Sequence, residues 1–335
     1  MLDIFRSDAF SLRSLTATMN DMPYVPTRLG DMGIFEERGI NSLVATIEVR
    51  NNQLYLVQSQ PRGARGNQNT QNGRKLIPLQ SVHLPIEDAL HADEIQGVRL
   101  FGSESQLETI QAKIAEKLTT MDQSLEATME WHRIGAVKGK VLDADGTTVL
   151  YDLYDIFGVS KLPTISFGLT EANPVSGALR QKIHYVQRAI EDELGNGSYT
   201  GIIAMCGSAF MDKLVSHPEA LKAYDRWNDG QMLRESFARR TFGYAGVLFE
   251  EYRGTVAGVK FIGDDDCEFF PVGVPGLFQA TFSPANFLST VNTVGLPKYA
   301  TSNVKGEEYV ELKAQSNPLH FCTRPRVLIH AVSGT

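Results

Sequence analysis

The sequence predicts an α+β fold with an inserted middle domain, and three features of the chain lead to this prediction. An extended hairpin pattern occupies residues 42–84, one unbroken helical pattern covers residues 103–133, and strand patterns dominate from Phe242 onward. A mixture of short helices and strands lies between the long helix and the terminal strands. With 335 residues, 42% of them hydrophobic, the chain can form two compact modules with extensions.

The hairpin is predicted from alternating apolar and polar residues. Ser42–Arg50 and Gln53–Gln58 alternate as strands do, and Lys75–Leu84 is the expected returning strand. Between them, residues 61–75 offer no apolar anchor beyond Ala64. An extended hairpin without a core of its own is not stable alone, so we expect it to lie on a neighbouring surface.

The charge of this hairpin differs from that of the whole chain, which carries a net charge of −7. From Val49 to Ile86 there is no acidic residue. The cationic residues of the hairpin are Arg50, Arg62, Arg65, Arg74 and Lys75. An acidic neighbouring copy of the same chain would suit such a surface, so the last four of these residues are candidate intersubunit contacts. The hairpin indicates assembly rather than catalysis.

The long helix is predicted because residues 103–133 contain neither Gly nor Pro and show one amphipathic stripe. Ser103 and Gln106 form a plausible capping box. The stripe consists of Leu107, Ile110, Ile114, Leu118, Met121, Leu125 and Met129. A helix of about 30 residues spans roughly 45 Å, which is too long for the interior of one compact module. A coiled-coil strand is the alternative, but only this segment has the pattern.

The remaining elements follow from local patterns. Residues 8–20 predict a short helix that ends before Pro23 and Pro26, which gives an arm-like N-terminus. The later predictions are a hairpin Val137–Leu153 turning at Asp145-Gly146, helices Ala178–Leu194, Phe210–Val215 and Pro218–Trp227, and strands Thr200–Cys206, Ala245–Tyr252, Thr255–Ile262, Glu268–Val272, Tyr309–Lys313 and Pro325–Val332. The last strand is nearly all apolar, so we expect it in the middle of a sheet.

No motif in the chain predicts an active site, and we expect no enzyme, cofactor or metal. Gly195–Gly201 resembles a dinucleotide fingerprint but follows a helix, and Gly135–Lys140 is one residue short of a phosphate loop. Asp264–Asp266 is interpreted as a solvated turn between strands rather than a cation site. The seven histidines are scattered, and no GxSxG motif occurs.

Composition narrows the class of protein further. The acidic balance argues against a general nucleic-acid binder but not against a container that holds nucleic acid. The three cysteines, Cys206, Cys267 and Cys322, are far apart in sequence and indicate small buried hydrophobes rather than a disulfide framework. No apolar run approaches the roughly 20 residues that span a bilayer, and the N-terminus lacks a secretory signal pattern. We therefore expect no membrane partner and a cytoplasmic site of synthesis.

Five segments in the second half carry a resemblance to a known family. They are HPEALKAYDRW (His217–Trp227), GVLFEEYRG (Gly246–Gly254), FFPVGVPGLF (Phe269–Phe278), VNTVGLPKYA (Val291–Ala300) and FCTRPRVLI (Phe321–Ile329). These segments follow one another in the order seen in the lambda-like major capsid protein E family of tailed phages, which the sequence resembles. VNTVGLPKYA and the NPLHFCTRPRVL ending are the most specific of the matching segments.

The resemblance implies the Hong Kong 97 type capsid fold, with five parts along the chain. These are an N-terminal arm (residues 1–39), an extended E-loop (40–84), a peripheral domain (85–166) with the spine helix at 103–133, an axial domain (167–291) and a return to the peripheral domain with the terminal strands (292–335). The sequence lacks a long helical scaffolding extension before the arm. The resemblance therefore implies that scaffolding, if used, comes from a separate protein.

The implied function is structural. Many copies would form the hexamers and pentamers of an icosahedral head that encloses double-stranded DNA without sequence-specific binding, with a portal and a small decoration protein as further partners. The location would be the virion, after assembly in the host cytoplasm. An encapsulin-like shell around cargo enzymes is the alternative on the same fold. An enzyme on an α+β scaffold is another, but it would need a polar site that the sequence does not show.

Two details concern contacts between subunits. Lys75 invites a crosslinking hypothesis, although the lambda-like resemblance argues for non-covalent reinforcement. We interpret VNTVGLPKYA as a joint between domains in which Gly295 adopts an angle that a residue with a Cβ would resist. Lys298 and Tyr299 would then be placed to meet a neighbouring subunit.

Overall fold

The structure is a computed structural model that describes residues 28–50, 74–94, 110–171, 174–195, 197–221, 223, 240–256, 258–306 and 308–334. For residues 48–50, 74 and 75 the description covers the backbone. The helices, in chain order, are α1 (Arg28–Met32), α2 (Ile110–Lys138), α3 (Leu153–Phe157), α4 (Ala178–Leu194) and α5 (Ser208–Ser216). Residues 218–221 are also helical.

The strands are short and lie in several small sheets around one larger one. In chain order they are β1 (Phe35–Gly39), β2 (Val44–Arg50), β3 (Arg74–Gln80), β4 (Leu84–His91), β5 (Lys140–Leu142), β6 (Val149–Asp152), β7 (Ile165–Ser166), β8 (Gly201–Cys206), β9 (Thr241–Tyr244), β10 (Val247–Glu251), β11 (Thr255–Val256), β12 (Val259–Lys260), β13 (Asp266–Val272), β14 (Phe278–Phe282), β15 (Tyr299–Lys305), β16 (Tyr309–Ser316), β17 (Pro318–Cys322) and β18 (Ile329–Val332). Helices and strands are mixed along the chain, as predicted for an α+β fold.

The larger sheet has six strands in the order β7-β18-β13-β8-β10-β9. It is mixed, because β8 pairs with β10 in parallel and with β13 in antiparallel register. Helix α4 covers it with a regular apolar stripe that begins at Leu179 and ends at Leu194. This helix has the predicted bounds and ends at Gly195, whose amide donates to the carbonyl of Glu191. Regular periodicity and a glycine stop made the element predictable.

The long helix α2 links two hydrophobic cores. Ile114, Leu118, Met121 and Leu125 pack with Leu312 and its neighbours on the antiparallel sheet β15-β16-β4. Met129, Ile134, Ala136 and Val137 belong to the main core, which includes the sheet β1-β14-β17. The predicted stripe is therefore buried from Ile114 to Met129, and Ile110 at the start of the described helix is partly buried. Residues 103–109, which include Leu107, lie outside the described residues.

The end of α2 corrects one sequence prediction. The helix continues to Lys138, so the predicted hairpin from Val137 begins only with β5 at Lys140. Gly139 ends the helix with a φ of 79°, a left-handed value that favours glycine. Gly135–Lys140, the segment compared with a phosphate loop, is thus mainly the last turn of a helix.

Two further strand predictions have the wrong extent. Thr255–Ile262 is a tight hairpin of β11 and β12 rather than one strand. Pro325–Val332 begins with a 3₁₀ turn at Pro325–Val327, because a proline at the first position starts a turn more readily than a strand interior. Its remainder, β18, lies between β7 and β13 as an internal strand.

The pairing of β18 bears on the proposed division of the chain. Residues 292–335 are predicted as one return to a peripheral domain. Strands β16 and β17 contact the long helix and β15 pairs with β16, but β18 pairs with β13 in the larger sheet. The end of the chain is therefore hydrogen-bonded to the segment predicted as axial.

Candidate assembly surface

A cluster of exposed apolar side chains precedes β15, and we call residues 288–296 the apolar segment. Leu288 is 97% exposed, Val291 61%, Val294 64% and Leu296 45%. Single exposed apolar residues are ordinary, but four within nine residues form a concentrated feature. Such exposure is typical of a surface that another molecule covers.

The backbone of the apolar segment is held firmly although its side chains are exposed. The Thr290 hydroxyl donates to the carbonyl of Ala285 at 2.7 Å. The Gly295 amide donates to the carbonyl of Ile40 at 2.9 Å. The Leu296 amide donates to the Tyr299 hydroxyl at 2.8 Å. A surface that is already ordered loses less conformational entropy when a partner binds.

Position 295 requires glycine because the backbone of Phe282 packs closely against it. A Cβ at this position would lie 2.1 Å from the carbonyl oxygen of Phe282, closer than side chains come to backbone. Its φ is not among the positive values, so the predicted reason, an unusual backbone angle, is wrong. Gly39 is equally constrained, since a Cβ there would lie 2.2 Å from the carbonyl oxygen of Gly295. Two glycines thus let β1 and the apolar segment approach each other.

Lys298 and Tyr299 lie inside the chain rather than on its surface. Lys298 is 7% exposed, and its ammonium lies 2.5 Å from Asp122 and 2.7 Å from Glu126 of helix α2. Tyr299 is 2% exposed and its hydroxyl accepts the amide of Leu296. Their predicted contact with a neighbouring subunit is not supported, because both are engaged within the chain. Lys298 thereby fixes the end of the apolar segment to the long helix, and Tyr299 holds the backbone of the segment at Leu296.

Helix α2 carries a row of buried charges that sequence reasoning missed. Asp122, Glu126, Glu130 and Arg133 are each at most 5% exposed. They recur at spacings of four, four and three, so they share one side of the helix. Arg133 lies 3.7 Å from Glu126 and 3.6 Å from Glu130. The same helical period that revealed the apolar stripe could have revealed this second row.

The charged row connects α2 to distant parts of the chain. Glu130 accepts the amide of Leu29 at 2.8 Å and the hydroxyl of Tyr252 at 3.2 Å. Arg133 lies 3.6 Å from Glu37 in β1. Burial raises the pKa of the Asp122 carboxyl, although its hydrogen bond with Lys298 acts in the opposite direction. One helix face therefore holds the segment before β15, strand β1, helix α1 and the loop after β10.

The base of the hairpin β2-β3 is anchored on one face and exposed on the other. Ala45 pairs with Leu79 and Ile47 with Ile77, and these four side chains are buried in the main core. On the remaining surface Leu43 is 61% and Leu76 64% exposed. The prediction of strand arms is confirmed for the described residues. The base of the hairpin lies on the main core of its own chain. Most of the segment predicted to lack an apolar anchor, residues 61–73, lies outside the described residues.

The structure describes only some of the predicted cationic residues of the hairpin. Arg62 and Arg65 lie outside the described residues, as does the strand prediction Gln53–Gln58. The backbone of Arg74 pairs with that of Arg50, and Lys75 pairs with Val49.

The acidic triplet in the turn before β13 makes ion pairs. Asp264 lies 2.6 Å from Lys260, and Asp265 lies 2.5 Å from Lys213. These contacts lower the pKa of both carboxyls. Among the described residues no group of three His, Cys, Asp or Glu side chains is arranged to hold a metal ion. Over the same residues, no helix is both long and apolar enough to cross a membrane.

Two buried histidines lie between α2 and β17. His132 and His320 are both fully buried, and their ring centroids are 6.4 Å apart. Burial lowers the pKa of His132 to about 4, partly offset by the charge of Asp143. Burial, with Arg133 and His132 nearby, holds the pKa of His320 well below its ordinary value. Both rings are therefore neutral at pH 7.

Comparison with known proteins agrees with this description. A family described as phage major capsid protein E matches residues 11–333. A major capsid protein of Pseudomonas phage KPP10 is 29% identical over 96% of each chain. A major capsid protein of Salmonella phage Felix O1 is 27% identical over 98% of each chain.

Solved structures show the same fold at low identity. A candidate capsid protein of a prophage in E. coli CFT073 has a TM-score of 0.57 at 13% identity, covering 96% of this chain and 98% of that one. The mature capsid of bacteriophage PhiM1 has a TM-score of 0.51 at 12% identity, covering 93% and 89%. The fold is thus the Hong Kong 97 type. The chain belongs to the phage major capsid protein E family, whose members are structural proteins of the capsid and not enzymes.

Proposed function

We propose that this chain is the repeating subunit of an icosahedral phage head, in which many copies form hexamers and pentamers around double-stranded DNA. The observation that carries the proposal is the family match over residues 11–333. The apolar segment supports it, because its exposed side chains lie on an ordered backbone. The encapsulin-like alternative is not favoured by the family and its named relatives.

A second copy of the chain is the partner that suits the apolar segment. In a closed shell every subunit meets the same kinds of neighbours, so one exposed patch is covered in every copy. Burying large apolar side chains contributes about 1.5–3 kcal/mol each before association costs are subtracted. A few such residues repeated in every subunit can therefore hold a shell together.

The cationic hairpin is the second element of the proposed interface. Arg62, Arg65, Arg74 and Lys75 would clamp onto an acidic part of a neighbouring subunit. The net charge of −7 supports such complementarity between copies and a wall that does not retain DNA tightly. The buried base of the hairpin would let it project from a fixed point.

The finer assignments belong to the same proposal. The chain would be divided into the parts of the Hong Kong 97 type fold. These are the arm (1–39), the E-loop (40–84), the peripheral domain (85–166), the axial domain (167–291) and the return to the peripheral domain (292–335). The pairing of β18 with β13 favours moving the end of the return into the axial domain. A portal, a separate scaffolding protein and a small decoration protein would be the further partners, and assembly would take place in the host cytoplasm.

The experiment compares two double variants at the same positions. Leu288→Asp with Val294→Asp places charges where the proposal needs apolar contacts. Leu288→Met with Val294→Ile keeps the positions apolar and serves as the control. We expect both proteins to fold, as judged by circular dichroism, and only the control to form closed particles in electron micrographs. Normal particles from the aspartate variant would exclude the apolar segment from the interface.

A further inference from the structure

Two cysteines that are 61 residues apart in sequence meet in the larger sheet. Cys206 in β8 and Cys267 in β13 are directly opposed partners in the antiparallel register. Their sulfur atoms lie 3.1 Å apart, and both residues are fully buried free thiols. This separation is shorter than the optimum of about 3.5–4.0 Å for contacts between the smaller carbon atoms.

The hydrogen bonds of the sheet show whether Cys206 and Cys267 form a hydrogen-bonded or a non-hydrogen-bonded pair of the antiparallel ladder. The amide of Gly207 donates to the carbonyl of Asp266 at 2.9 Å, so the position next to the cysteines is hydrogen-bonded. Because the two types alternate along an antiparallel ladder, Cys206 and Cys267 occupy a position without hydrogen bonds between them. Opposed Cα atoms at such positions are about 4.5 Å apart, which lies within the range that a disulfide spans.

The geometry points to an oxidisable pair, and we infer that Cys206 and Cys267 form an internal disulfide when the protein meets a peroxide. In the first step the peroxide oxidises one thiol to a sulfenic acid and is reduced to water. In the second step the other thiol attacks that sulfur, forms the S–S bond and releases a second water. Two thiols lose two electrons in total and one peroxide gains them.

Burial determines when this reaction occurs. Burial and the adjacent thiol raise the pKa of Cys267 well above its ordinary value, so little reactive thiolate is present. A large disulfide such as oxidised glutathione cannot reach the pair without opening of the sheet. A peroxide is little larger than water. The pair is therefore expected to stay reduced in a reducing compartment and to oxidise slowly outside it.

The bond would close a long loop of the chain. Residues 207–266 include α5 and the strands from β9 to β12, and the two ends of this loop now meet through non-covalent contacts such as the pairing of β8 with β13 and the ion pair between Lys213 and Asp265. A covalent link there lowers the entropy of the unfolded chain. The oxidised protein should thus unfold at a temperature several degrees higher than the reduced protein. This inference does not rest on the proposed function, because it concerns the folded chain alone.

Cys322 provides a matched internal control. It is also fully buried, and burial raises the pKa of its thiol to about 12. Within the described residues neither other cysteine is paired with it in a strand register, because β17 pairs with β14. A general oxidation of buried thiols would modify Cys322, whereas the proposed reaction would leave it reduced.

The test is peptide mapping of the full chain before and after exposure to hydrogen peroxide. The protein is denatured with excess iodoacetamide, digested and analysed by mass spectrometry. We expect a linked peptide that contains Cys206 and Cys267, alkylated Cys322, and a rise in unfolding temperature that dithiothreitol reverses. Cys322→Ala should retain the link and the rise, and Cys206→Ala should lose both. Alkylation of both Cys206 and Cys267 after the treatment, or their conversion to sulfinic or sulfonic acids, would overturn the inference.

Discussion

The apolar segment at residues 288–296 and the charged row at residues 122–133 show opposite uses of side-chain chemistry. The segment exposes Leu288 and Val294 to solvent, whereas the row buries Asp122, Glu126 and Glu130 inside the chain. Lys298 joins the two, since it follows the segment directly and binds the row. The buried charges are satisfied within one chain, whereas the exposed apolar side chains would be unfavourable in a protein that acted as a monomer.

The contrast indicates that the two regions have different partners. The buried charges bind parts of the same chain and fix their relative positions, which a purely apolar contact does less specifically. The exposed apolar residues find no such partner among the described residues of the chain. Their burial is expected only when subunits assemble. Four predictions can break or sharpen this comparison.

The largest effect is expected from a new charge in the apolar stripe of α2. Leu118 is 2% exposed, so Leu118→Asp buries a carboxylate without a partner and should lower the free energy of unfolding by about 3–5 kcal/mol. Gln123→Ala, on the exposed side of the same helix, should be nearly neutral. Urea denaturation of the isolated subunit measures both. Equal losses would mean that the stripe is misplaced.

Removing the cation from the buried row should be almost as harmful. Lys298→Met leaves Asp122 and Glu126 without their ammonium and should cost about 3–5 kcal/mol. The control is Lys305→Met, because Lys305 is 46% exposed and its pair with Glu311 is at the surface. Chemical denaturation should separate the two variants clearly. A neutral Lys298→Met would show that the buried row does not hold the apolar segment.

The buried histidine pair predicts sensitivity to acid. The pKa of His132 falls to about 4 in the folded chain from an ordinary value near 6.5. The unfolded state therefore binds more protons between these values, and stability decreases as the pH falls through this window. The loss amounts to about 3 kcal/mol from this group. His132→Gln should weaken the dependence, as measured by denaturation between pH 7 and pH 4. An unchanged pH profile in that variant would contradict the assignment.

The smallest effect on folding is expected in the hairpin. Replacing Arg62, Arg65, Arg74 and Lys75 with Ser should leave the free energy of unfolding almost unchanged, because the buried face at Ala45 and Ile77 remains. Assembly should weaken, and the deficit relative to the unmodified chain should be largest at low salt, because screening at high salt already reduces the attraction that the unmodified chain gains from these charges. Light scattering at several salt concentrations measures this. Assembly equal to that of the unmodified chain would show that these four residues do not hold neighbouring subunits together.

Features with a local repeat were predictable from the sequence. Helix α4 has the predicted bounds because its apolar period and Gly195 both indicate them. The stripe of α2 was found for the same reason, whereas its end was misjudged because Val137 also fits a strand. The tight turn between β11 and β12 was missed inside a run that resembles one strand.

Features that depend on distant residues could not be read from one sequence. Lys298 appeared available for a neighbour because its partners, Asp122 and Glu126, come more than 170 residues earlier. Gly295 was assigned to the right location for the wrong reason, since the nearby carbonyl of Phe282 is visible only in the folded chain. The meeting of Cys206 and Cys267 likewise depends on the order of strands in the larger sheet.

Hydroxyl-radical footprinting tests the central claim most directly, by comparing unassembled subunits with purified particles. Leu288, 97% exposed in the isolated chain, and Val294 should react readily in subunits and be strongly protected in particles. Leu118 should be protected in both states because it is already buried. If Leu288 and Val294 react equally in subunits and particles, the apolar segment does not lie between subunits, and the account of its exposure is wrong.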